Sequence, residues 1–93
     1  MEVIIGKQYL KDLRKVPKYV LIAADAVIDK LKSAENLNKS GVDYTKMEGQ
    51  KKNENYYRIR VGEWRIGVVL KTPSIIILTI LSRGEIYKKF PPQ

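Results

Sequence analysis

The stretch that decides the fold is Tyr56–Leu70, which reads YYRIRVGEWRIGVVL and predicts a β-hairpin. It is rich in β-branched and aromatic residues, and Gly62–Glu63 interrupts them in the manner of a tight turn. Because side chains alternate between the two faces of a strand, Arg58 and Arg60 share one face. With the turn at Gly62–Glu63, Arg65 on the second strand lies directly opposite Arg60. The hairpin therefore places all its arginines on one face.

The pairing of Arg60 with Arg65 is electrostatically unfavourable, because like charges directly across a strand pair repel and cost stability. An anion held between the two guanidinium groups would relieve the repulsion, and a phosphate matches their planar, forked donor geometry. The other face of the hairpin is apolar, which predicts that it packs in a core. That face carries Tyr57, Ile59, Val61 and Trp64.

The rest of the chain predicts a single α+β domain over residues 1–93, in the order β-α-α-β-β-β. We expect a mainly antiparallel sheet with an N-terminal helical hairpin packed on one face. Residues 75–78 are apolar on both faces of the expected strand, which predicts a central strand covered on both sides. Residues 35–55 are polar and predict mostly loop. The expected strands are Glu2–Ile5, Tyr56–Val61, Trp64–Lys71 and Ser74–Ser82, and the expected helices run from about Lys7 to Lys15 and from about Pro17 to Ser33.

Charge narrows the classes of partner. The chain carries 18 Lys and Arg against 10 Asp and Glu, a net charge of +8. The excess lies in residues 51–93, which hold nine basic and three acidic side chains. This distribution predicts attraction to a polyanion, and it favours nucleic acid over a membrane because no basic amphipathic helix lies there. The alternative is a basic, soluble surface without a ligand.

Cysteine and histidine are both absent from the sequence. Their absence excludes disulfides, thiolate metal sites and thiol nucleophiles, and it removes the commonest general acid–base and metal ligand. The acidic residues are not spaced as metal ligands, and the glycines form neither a phosphate loop nor a dinucleotide fingerprint. No signal peptide or membrane-spanning segment is evident. We therefore expect a soluble, cytoplasmic protein with no metal or other cofactor.

Basic side chains outside the hairpin extend the candidate site. Arg83 follows the last strand, and together with the hairpin arginines it would stabilise charge that develops on a phosphorus during phosphoryl transfer. The alternative is that the arginines form surface ion pairs with nearby glutamates, namely Glu48, Glu54, Glu63 and Glu85. Lysines are further candidates for binding the phosphates of a longer RNA strand, and these are Lys46, Lys51, Lys52, Lys88 and Lys89.

Aromatic residues interleave with these charges, as recognition of single-stranded RNA requires. Tyr57 and Trp64 lie on or beside the apolar parity of the hairpin, so core packing is favoured over base stacking for both. Tyr87 follows the last strand close to Arg83 and outside any core periodicity. For Tyr87 a functional role and a packing role are equally open.

Three segments carry a resemblance to a known family: KMEG at Lys46–Gly49, YRIRVGEWRI at Tyr57–Ile66 and SRGEIY at Ser82–Tyr87. Together they resemble the RelE/ParE superfamily of bacterial and archaeal toxins, which are the toxins of type II toxin–antitoxin pairs. The length of the chain and its order of elements fit the same superfamily, so the resemblance covers nearly the whole chain. It implies a RelE-like fold and a small cognate antitoxin as partner.

The resemblance to RelE-like members implies an RNase that cleaves messenger RNA, commonly in the ribosomal decoding site, without a metal. The 2′-hydroxyl of the RNA attacks the adjacent phosphorus and leaves a 2′,3′-cyclic phosphate and a free 5′-hydroxyl. Arg65 and Arg83 would hold the phosphate, and Arg58 or Arg60 would stabilise the transition state. Tyr87 would stack on or orient the base, or help in proton transfer.

One position departs from many RNase members, which carry a histidine where this chain has Ser82. The general acid and base are then expected to be Glu85, Tyr87, or an arginine or lysine in unusual surroundings. Glu85 has the alternative of pairing with Lys88 or Lys89. Two rival functions remain open, namely a ParE-like inhibitor of DNA gyrase that acts by binding and a catalytically inactive RelE-like domain.

Overall fold

The computed structural model describes residues 1–51 and 54–92. Within these ranges one sheet has the strand order β1-β5-β4-β3-β2. β1 runs parallel to β5, whereas the other neighbours are antiparallel. The elements are β1 (Glu2–Ile5), α1 (Lys7–Leu13), α2 (Lys18–Ser33), β2 (Tyr44–Lys46), β3 (Tyr56–Val61), β4 (Trp64–Lys71), β5 (Ser74–Ser82) and α3 (Arg83–Lys89). The predicted α+β class and the mainly antiparallel sheet are confirmed.

The β3–β4 hairpin forms in the predicted register. Gly62 opens the turn with φ of +60°, in the left-handed region that favours glycine. Val61 then pairs with Trp64, and Arg60 pairs with Arg65. The repulsive arginine pair inferred from the sequence is therefore a feature of the fold.

The helical hairpin α1–α2 packs on one face of the sheet, as predicted, and we call this the hairpin face. Pro17 is the N-cap of α2 and separates the two helices. The buried side of α2 packs in one core with side chains of β3, β4 and β5. These side chains lie on the same face of the sheet as Ile59 and Ile66. The buried residues of this core are Tyr9, Val20, Ala24, Ile28, Leu31, Leu37, Ile59, Val61, Ile66, Val68, Ile75, Ile77 and Ile80. The core thus fixes which face of the β3–β4 hairpin turns inward.

The expectation of mostly loop for residues 35–55 is wrong at one place. Tyr44–Lys46 forms the edge strand β2, in which Tyr44 pairs with Ile59 and Thr45 pairs with Arg58. A strand of this length has little periodicity to read, so its existence depends on the pairing surface that β3 offers. β2 extends the sheet beside the arginines.

The chain after β5 also differs from the expected order, because Arg83–Lys89 forms the helix α3. Isolated helices of this length are marginal, and most of their stability comes from tertiary packing. Ile86 is fully buried and Phe90 is 4% exposed, and together with Met47 they form a second small core. This core lies on the sheet face opposite the helical hairpin. We call this the arginine face, since it carries Arg58, Arg60 and Arg65.

The predicted double cover of β5 is correct on one side only. Ile75 and Ile77 are fully buried on the hairpin face, whereas Ile76 and Leu78 are partly exposed. The reason is that α3 is too short to cover the whole arginine face. Ile76 pairs with Val69, at the end of the sheet away from Arg65.

Gly67 sets how closely the end of α3 approaches the sheet. Gly67 pairs with Arg58 on one side and Thr79 on the other, and a Cβ at Gly67 would lie 2.8 Å from the Phe90 ring and 2.9 Å from the Thr79 methyl group. Only a residue without a side chain leaves room for the Phe90 ring here. The packing of Phe90 then holds α3, and with it Tyr87, beside the arginines.

Candidate functional site

Side chains of four elements converge on a small hollow on the arginine face, which we call the arginine hollow. β3 supplies Arg58 and Arg60, β4 supplies Arg65, and α3 supplies Tyr87. The segment that leads into and forms β2 supplies Asp43 and Thr45. The hollow has a volume of about 200 Å³. Sites for drug-sized ligands measure roughly 300–1,000 Å³, so this one fits a small anionic group better than a whole nucleoside.

Arg58 and Arg65 are oriented by contacts on their own side of the hollow. The Arg58 guanidinium lies over the Tyr87 ring, 5.2 Å from its centroid, and Arg58 Nη1 lies 3.5 Å from Met47 Sδ. Arg65 Nη1 donates to the carbonyl oxygens of Gly62 at 2.7 Å and Trp64 at 2.9 Å. Backbone carbonyls and an aromatic ring therefore hold these cations without neutralising them.

Surface ion pairing does not account for the hairpin arginines. In the described part of the chain, no carboxylate oxygen lies within 4.0 Å of a guanidinium nitrogen of Arg58, Arg60 or Arg65. Of the arginines considered, only Arg83 has such a partner there, with its Nη1 lying 3.7 Å from Glu63 Oε2. Positive charge thus accumulates around the arginine hollow.

Arg83 lies apart from the other arginines. It begins α3, its backbone N–H donates to the Glu63 carbonyl, and its side chain does not line the arginine hollow. The Arg83 and Glu63 side chains are 66% and 79% exposed, so water screens the ion pair and little free energy opposes its opening. The tertiary structure therefore places Arg83 beside the turn of the hairpin, at the margin of the site.

Tyr87 contacts the Arg58 guanidinium and is not part of a buried core. Tyr87 is 57% exposed, while its neighbour Ile86, about 100° around the helix, is fully buried. The helical twist thus separates a residue that anchors α3 from one that faces the hollow. This exposure shows that Tyr87 is not part of either buried core, and its functional role stays a prediction.

Tyr57 and Trp64 belong to the hairpin face, as their parity predicted. Both are half-buried and pack against the main core. The Tyr57 ring meets the Tyr44 ring edge-on, with centroids 5.9 Å apart and an interplanar angle of 70°. Neither aromatic ring is on the same face as the arginines.

Glu85 is held by Lys89 and does not line the arginine hollow. Glu85 Oε2 lies 2.9 Å from Lys89 Nζ, and the Ser82 hydroxyl lies 3.4 Å from Glu85 Oε1. The hydrogen bond from Lys89 and the charge of Lys89 lower the pKa of Glu85. The predicted alternative of a lysine pair is thus observed, and a lowered pKa makes this carboxylate a weaker base.

The lysines predicted to bind RNA are spread over several surfaces. Lys88 lines a second hollow of about 520 Å³ next to the arginine hollow, and Arg58 and Tyr87 form the wall that the two hollows share. Lys51 lines a neighbouring cleft. Lys46 pairs with Tyr57 across the strands, so it has the parity of the hairpin face. Lys89 lines a cleft beside α1, and Lys52 lies outside the described residues.

Two lining residues, Asp43 and Thr45, were not among the sequence candidates. The sequence could have indicated these two residues only if β2 had been predicted, because the register of β2 against β3 puts them on the same face as Arg58. Residues 1–51 and 54–92 contain no cluster of three acidic side chains that could bind a metal ion. No helix in these ranges is long and apolar enough to cross a membrane.

A family model and a relative of known family both match this chain. The family model of the ParE toxin of type II toxin–antitoxin systems matches residues 3–87. The chain therefore belongs to the RelE/ParE superfamily of type II toxins, and the predicted resemblance is confirmed. A curated relative, toxin RelE3 of Methanocaldococcus jannaschii, is 36% identical over 91 residues, which cover 98% of this chain and 100% of the relative.

Solved structures of relatives share the fold. The RelB–RelE antitoxin–toxin complex of Methanococcus jannaschii contains a chain with 34% identity and a TM-score of 0.78, which covers 95% of this chain and 99% of that one. In the archaeal RelE–RelB complex of Pyrococcus horikoshii, the matching chain has 28% identity and a TM-score of 0.70 and covers 89% and 94% of the two chains. The RelE-like fold expected from the sequence is thus confirmed.

Proposed function

We propose that this toxin is a metal-independent endoribonuclease that cleaves messenger RNA on the ribosome, in the cytoplasm. One observation carries the proposal. Arg58, Arg60 and Arg65 share a hollow with Tyr87, and no carboxylate within ion-pair distance neutralises them in the described part of the chain. Such an arrangement is suited to an anionic phosphorus centre, where preorganised donors stabilise charge as it develops.

The proposed reaction is an attack of the RNA 2′-hydroxyl on the adjacent phosphorus. The bond from O2′ to phosphorus forms while the bond from phosphorus to O5′ breaks, leaving a 2′,3′-cyclic phosphate and a 5′-hydroxyl. Arg65 binds a non-bridging oxygen, because its Nη1 is held by two carbonyls while Nε and Nη2 remain directed away from these bonds. Arg58 and Arg60 stabilise the additional negative charge of the transition state.

The remaining groups of the site position the RNA. Tyr87 presents an exposed ring, stacked on Arg58, on which a base next to the cleaved bond stacks. Arg83 binds a neighbouring phosphate after its exposed contact with Glu63 opens. Lys88 and Lys51, which line clefts on the same side, contact phosphates further along the strand.

The cognate partner in this proposal is a small antitoxin. The relatives from Methanococcus jannaschii and Pyrococcus horikoshii were solved as RelE toxins bound to RelB antitoxins. A chain with a net charge of +8 attracts an acidic partner, and an antitoxin segment laid over the arginine face would block RNA. The antitoxin would thereby keep the toxin inactive.

A second candidate is a ParE-like inhibitor of DNA gyrase, since the matching family model is that of the ParE toxin. An inhibitor acts by binding and needs no chemistry in the arginine hollow. Substitution of Arg65 would then leave toxicity largely intact. The two candidate functions therefore predict different toxicities for a variant that lacks the Arg65 side chain.

The test is induced expression in bacteria, with mapping of RNA 5′ ends and measurement of plasmid supercoiling in the same cultures. The RNase predicts growth arrest with new 5′-hydroxyl ends, and both effects disappear with Arg65→Ala or Arg83→Ala. Growth arrest with intact RNA and altered supercoiling would establish the gyrase inhibitor. Normal growth and intact RNA, with folded protein present, would support the inactive domain.

A further inference from the structure

The proposed cleavage needs a group that accepts the proton of the 2′-hydroxyl, and the arginines cannot supply it. An arginine side chain remains protonated in proteins and has no acceptor. Glu85 is committed to Lys89 at 2.9 Å and lies outside the arginine hollow. Asp12 is buried, accepts hydrogen bonds from Gln8 and Thr79, and lines the separate cleft beside α1. Neither of these carboxylates meets the reacting phosphate.

Asp43 is the carboxylate that lines the same hollow as the three arginines. Its backbone is fixed, because the Asp43 carbonyl accepts the Arg60 N–H at 2.8 Å. Thr45 pairs with Arg58, and Asp43 lies two positions earlier, so its side chain has the parity of the arginine face. β2 and β4 therefore place Asp43 and Arg65 on opposite sides of the β3 arginines.

The Asp43 carboxylate is not committed elsewhere. It makes no hydrogen bond or ion pair with any side chain or backbone group of residues 1–51 or 54–92, although it lies near concentrated positive charge. A carboxylate that served only to balance the arginines would lie against one of them. A free carboxylate at the wall of an anion-binding hollow is instead available to a hydroxyl of the bound molecule.

We propose that Asp43 is the general base of the reaction, an inference that rests on the proposed RNase function. The Asp43 carboxylate takes the proton from the 2′-hydroxyl as O2′ bonds to phosphorus. The leaving O5′ takes a proton from a water molecule, and the resulting hydroxide is neutralised by the proton that Asp43 releases. The cycle therefore consumes no proton, and it needs no histidine at Ser82.

Two features of the site support this division of labour. The arginines bind and stabilise negative charge on the phosphate, while the carboxylate approaches from the open edge formed by β2. Tyr87 lines the same hollow, where the Arg58 guanidinium lies over its ring, 5.2 Å from the centroid. The charged groups that line the hollow with Asp43 are Arg58, Arg60 and Arg65.

The test measures single-turnover cleavage of a 5′-labelled messenger RNA of defined sequence, both free and in the decoding site of programmed ribosomes. Asp43→Asn keeps the shape of the side chain but removes its basicity. We expect a fall in the maximal rate of about 100-fold or more, with the half-saturating concentration changed by less than about threefold. Asp43→Glu should restore part of the rate. Asp29→Asn, an exposed change on α2, is the matched control.

The dependence on pH separates a base from a positioning residue. For the wild-type protein the logarithm of the rate should fall with unit slope as the pH is lowered, as a reaction that depends on one base requires. This limb should be absent from Asp43→Asn and unaltered in Asp29→Asn. If Asp43 only balanced the arginines, its loss would tighten RNA binding and leave the maximal rate and the acidic limb unchanged, which would overturn the proposal.

Failure of the inference is distinguishable from failure of the proposed function. If the wild type cleaves RNA and Arg65→Ala does not, but Asp43→Asn retains the wild-type rate, the RNase stands and the role of Asp43 is wrong. The role of Asp43 is also wrong if Glu85→Gln removes the fall in rate at low pH and Asp43→Asn retains it. If the wild type leaves both free and ribosome-bound RNA intact, the proposed function and the role of Asp43 are both overturned.

Discussion

The two faces of the sheet are built from alternate residues of the same strands, yet they have opposite physical characters. On the hairpin face, Ile59 pairs with Ile66 and both are fully buried beneath the two helices. One position away on each strand, Arg60 pairs with Arg65 in an open hollow. Burial stabilises the first pair, whereas the second pair is repulsive and destabilising until an anion binds.

This difference shows how a small domain separates the face that stabilises the fold from the face proposed to act on RNA. The free energy of folding comes largely from the hairpin face and its single apolar cluster. The arginine face is stabilised only locally, by the packing of Ile86 and Phe90 against Met47. Substitutions on the two faces should therefore affect different measurements, and neighbouring residues provide the comparison.

The largest expected effect is on folding, from Ile66→Ala. Ile66 is fully buried in the main core, and truncation of such a residue costs about 2–5 kcal/mol through lost burial and the cavity left behind. Urea unfolding followed by circular dichroism measures the change. Ile22→Ala, on an α2 side chain that is 60% exposed, is the control and should change stability by less than about 0.5 kcal/mol. Equal losses for the two variants would contradict the assignment of the core.

The second effect is on the proposed RNA cleavage, from Arg65→Ala. Loss of one preorganised donor to a developing negative charge lowers the rate by about 10²–10³-fold, while the unfolding midpoint should stay the same or rise because the repulsion with Arg60 is removed. Cleavage kinetics and urea unfolding on one preparation measure both quantities. Arg14→Ala, at the exposed end of α1, is the matched control. A parallel fall in stability and rate would mean that Arg65 is structural.

The third effect is a loss of stability at high pH that arises on the hairpin face, at Tyr9. Its hydroxyl is buried without a hydrogen-bond partner among the described residues, and burial, with a smaller effect of Asp25, raises the pKa of Tyr9 to about 12. The pKa of Tyr9 in the folded state exceeds the ordinary value of 10.0. The stability that depends on a neutral Tyr9 is therefore fully present below pH 10 and is lost as the pH rises toward 12. About 2–3 kcal/mol should disappear in that interval.

Tyr9→Phe tests the cause of this pH dependence. The variant should unfold with a flatter dependence of its midpoint on pH between 10 and 12, and it should be at least as stable as the wild type at pH 7, since an unpaired buried hydroxyl is removed. Tyr19→Phe, at a ring that is 73% exposed, should retain the wild-type profile. An unchanged profile in Tyr9→Phe would assign the alkaline transition to another group.

The smallest expected effect links the two faces through Gly67→Ala. The added methyl group meets the Phe90 ring at 2.8 Å, so the ring must move, and α3 moves with it. We expect a loss toward the lower end of the range of about 1–3 kcal/mol for overpacking, together with slower cleavage because Tyr87 is displaced. Gly84→Ala is the matched control, since its Cβ meets no atom within 4 Å. Cleavage and unfolding at wild-type values in both variants would show that α3 does not position Tyr87.

The hairpin shows how far sequence reasoning reaches in this protein. Alternation, together with a glycine at the turn, predicted the pairing of Arg60 with Arg65 and the inward position of Tyr57 and Trp64. These features are local, because they follow from the parity of the strands and the length of the turn. The helical hairpin was predictable for the same reason, since the apolar stripe of α2 is periodic within its own segment.

The elements that complete the site were not predictable in this way. β2 is three residues long, and α3 has only Ile86 and Phe90 to indicate a buried side. Neither segment has enough periodicity to identify it, and each forms because a surface elsewhere in the fold pairs or packs with it. As a result the sequence assigned Glu85 to the site and overlooked Asp43, although both are carboxylates close to basic residues.

By itself, therefore, the sequence determined the repulsive arginine hairpin, the inward apolar face, the class of fold and the family. Only the tertiary structure decided which other groups join the arginines. It placed Asp43 and Tyr87 around the hollow, paired Glu85 with Lys89, and left Arg83 at the margin. The physical reason is that strand parity is local, whereas the neighbours of a surface hollow depend on which distant segments pack against the sheet.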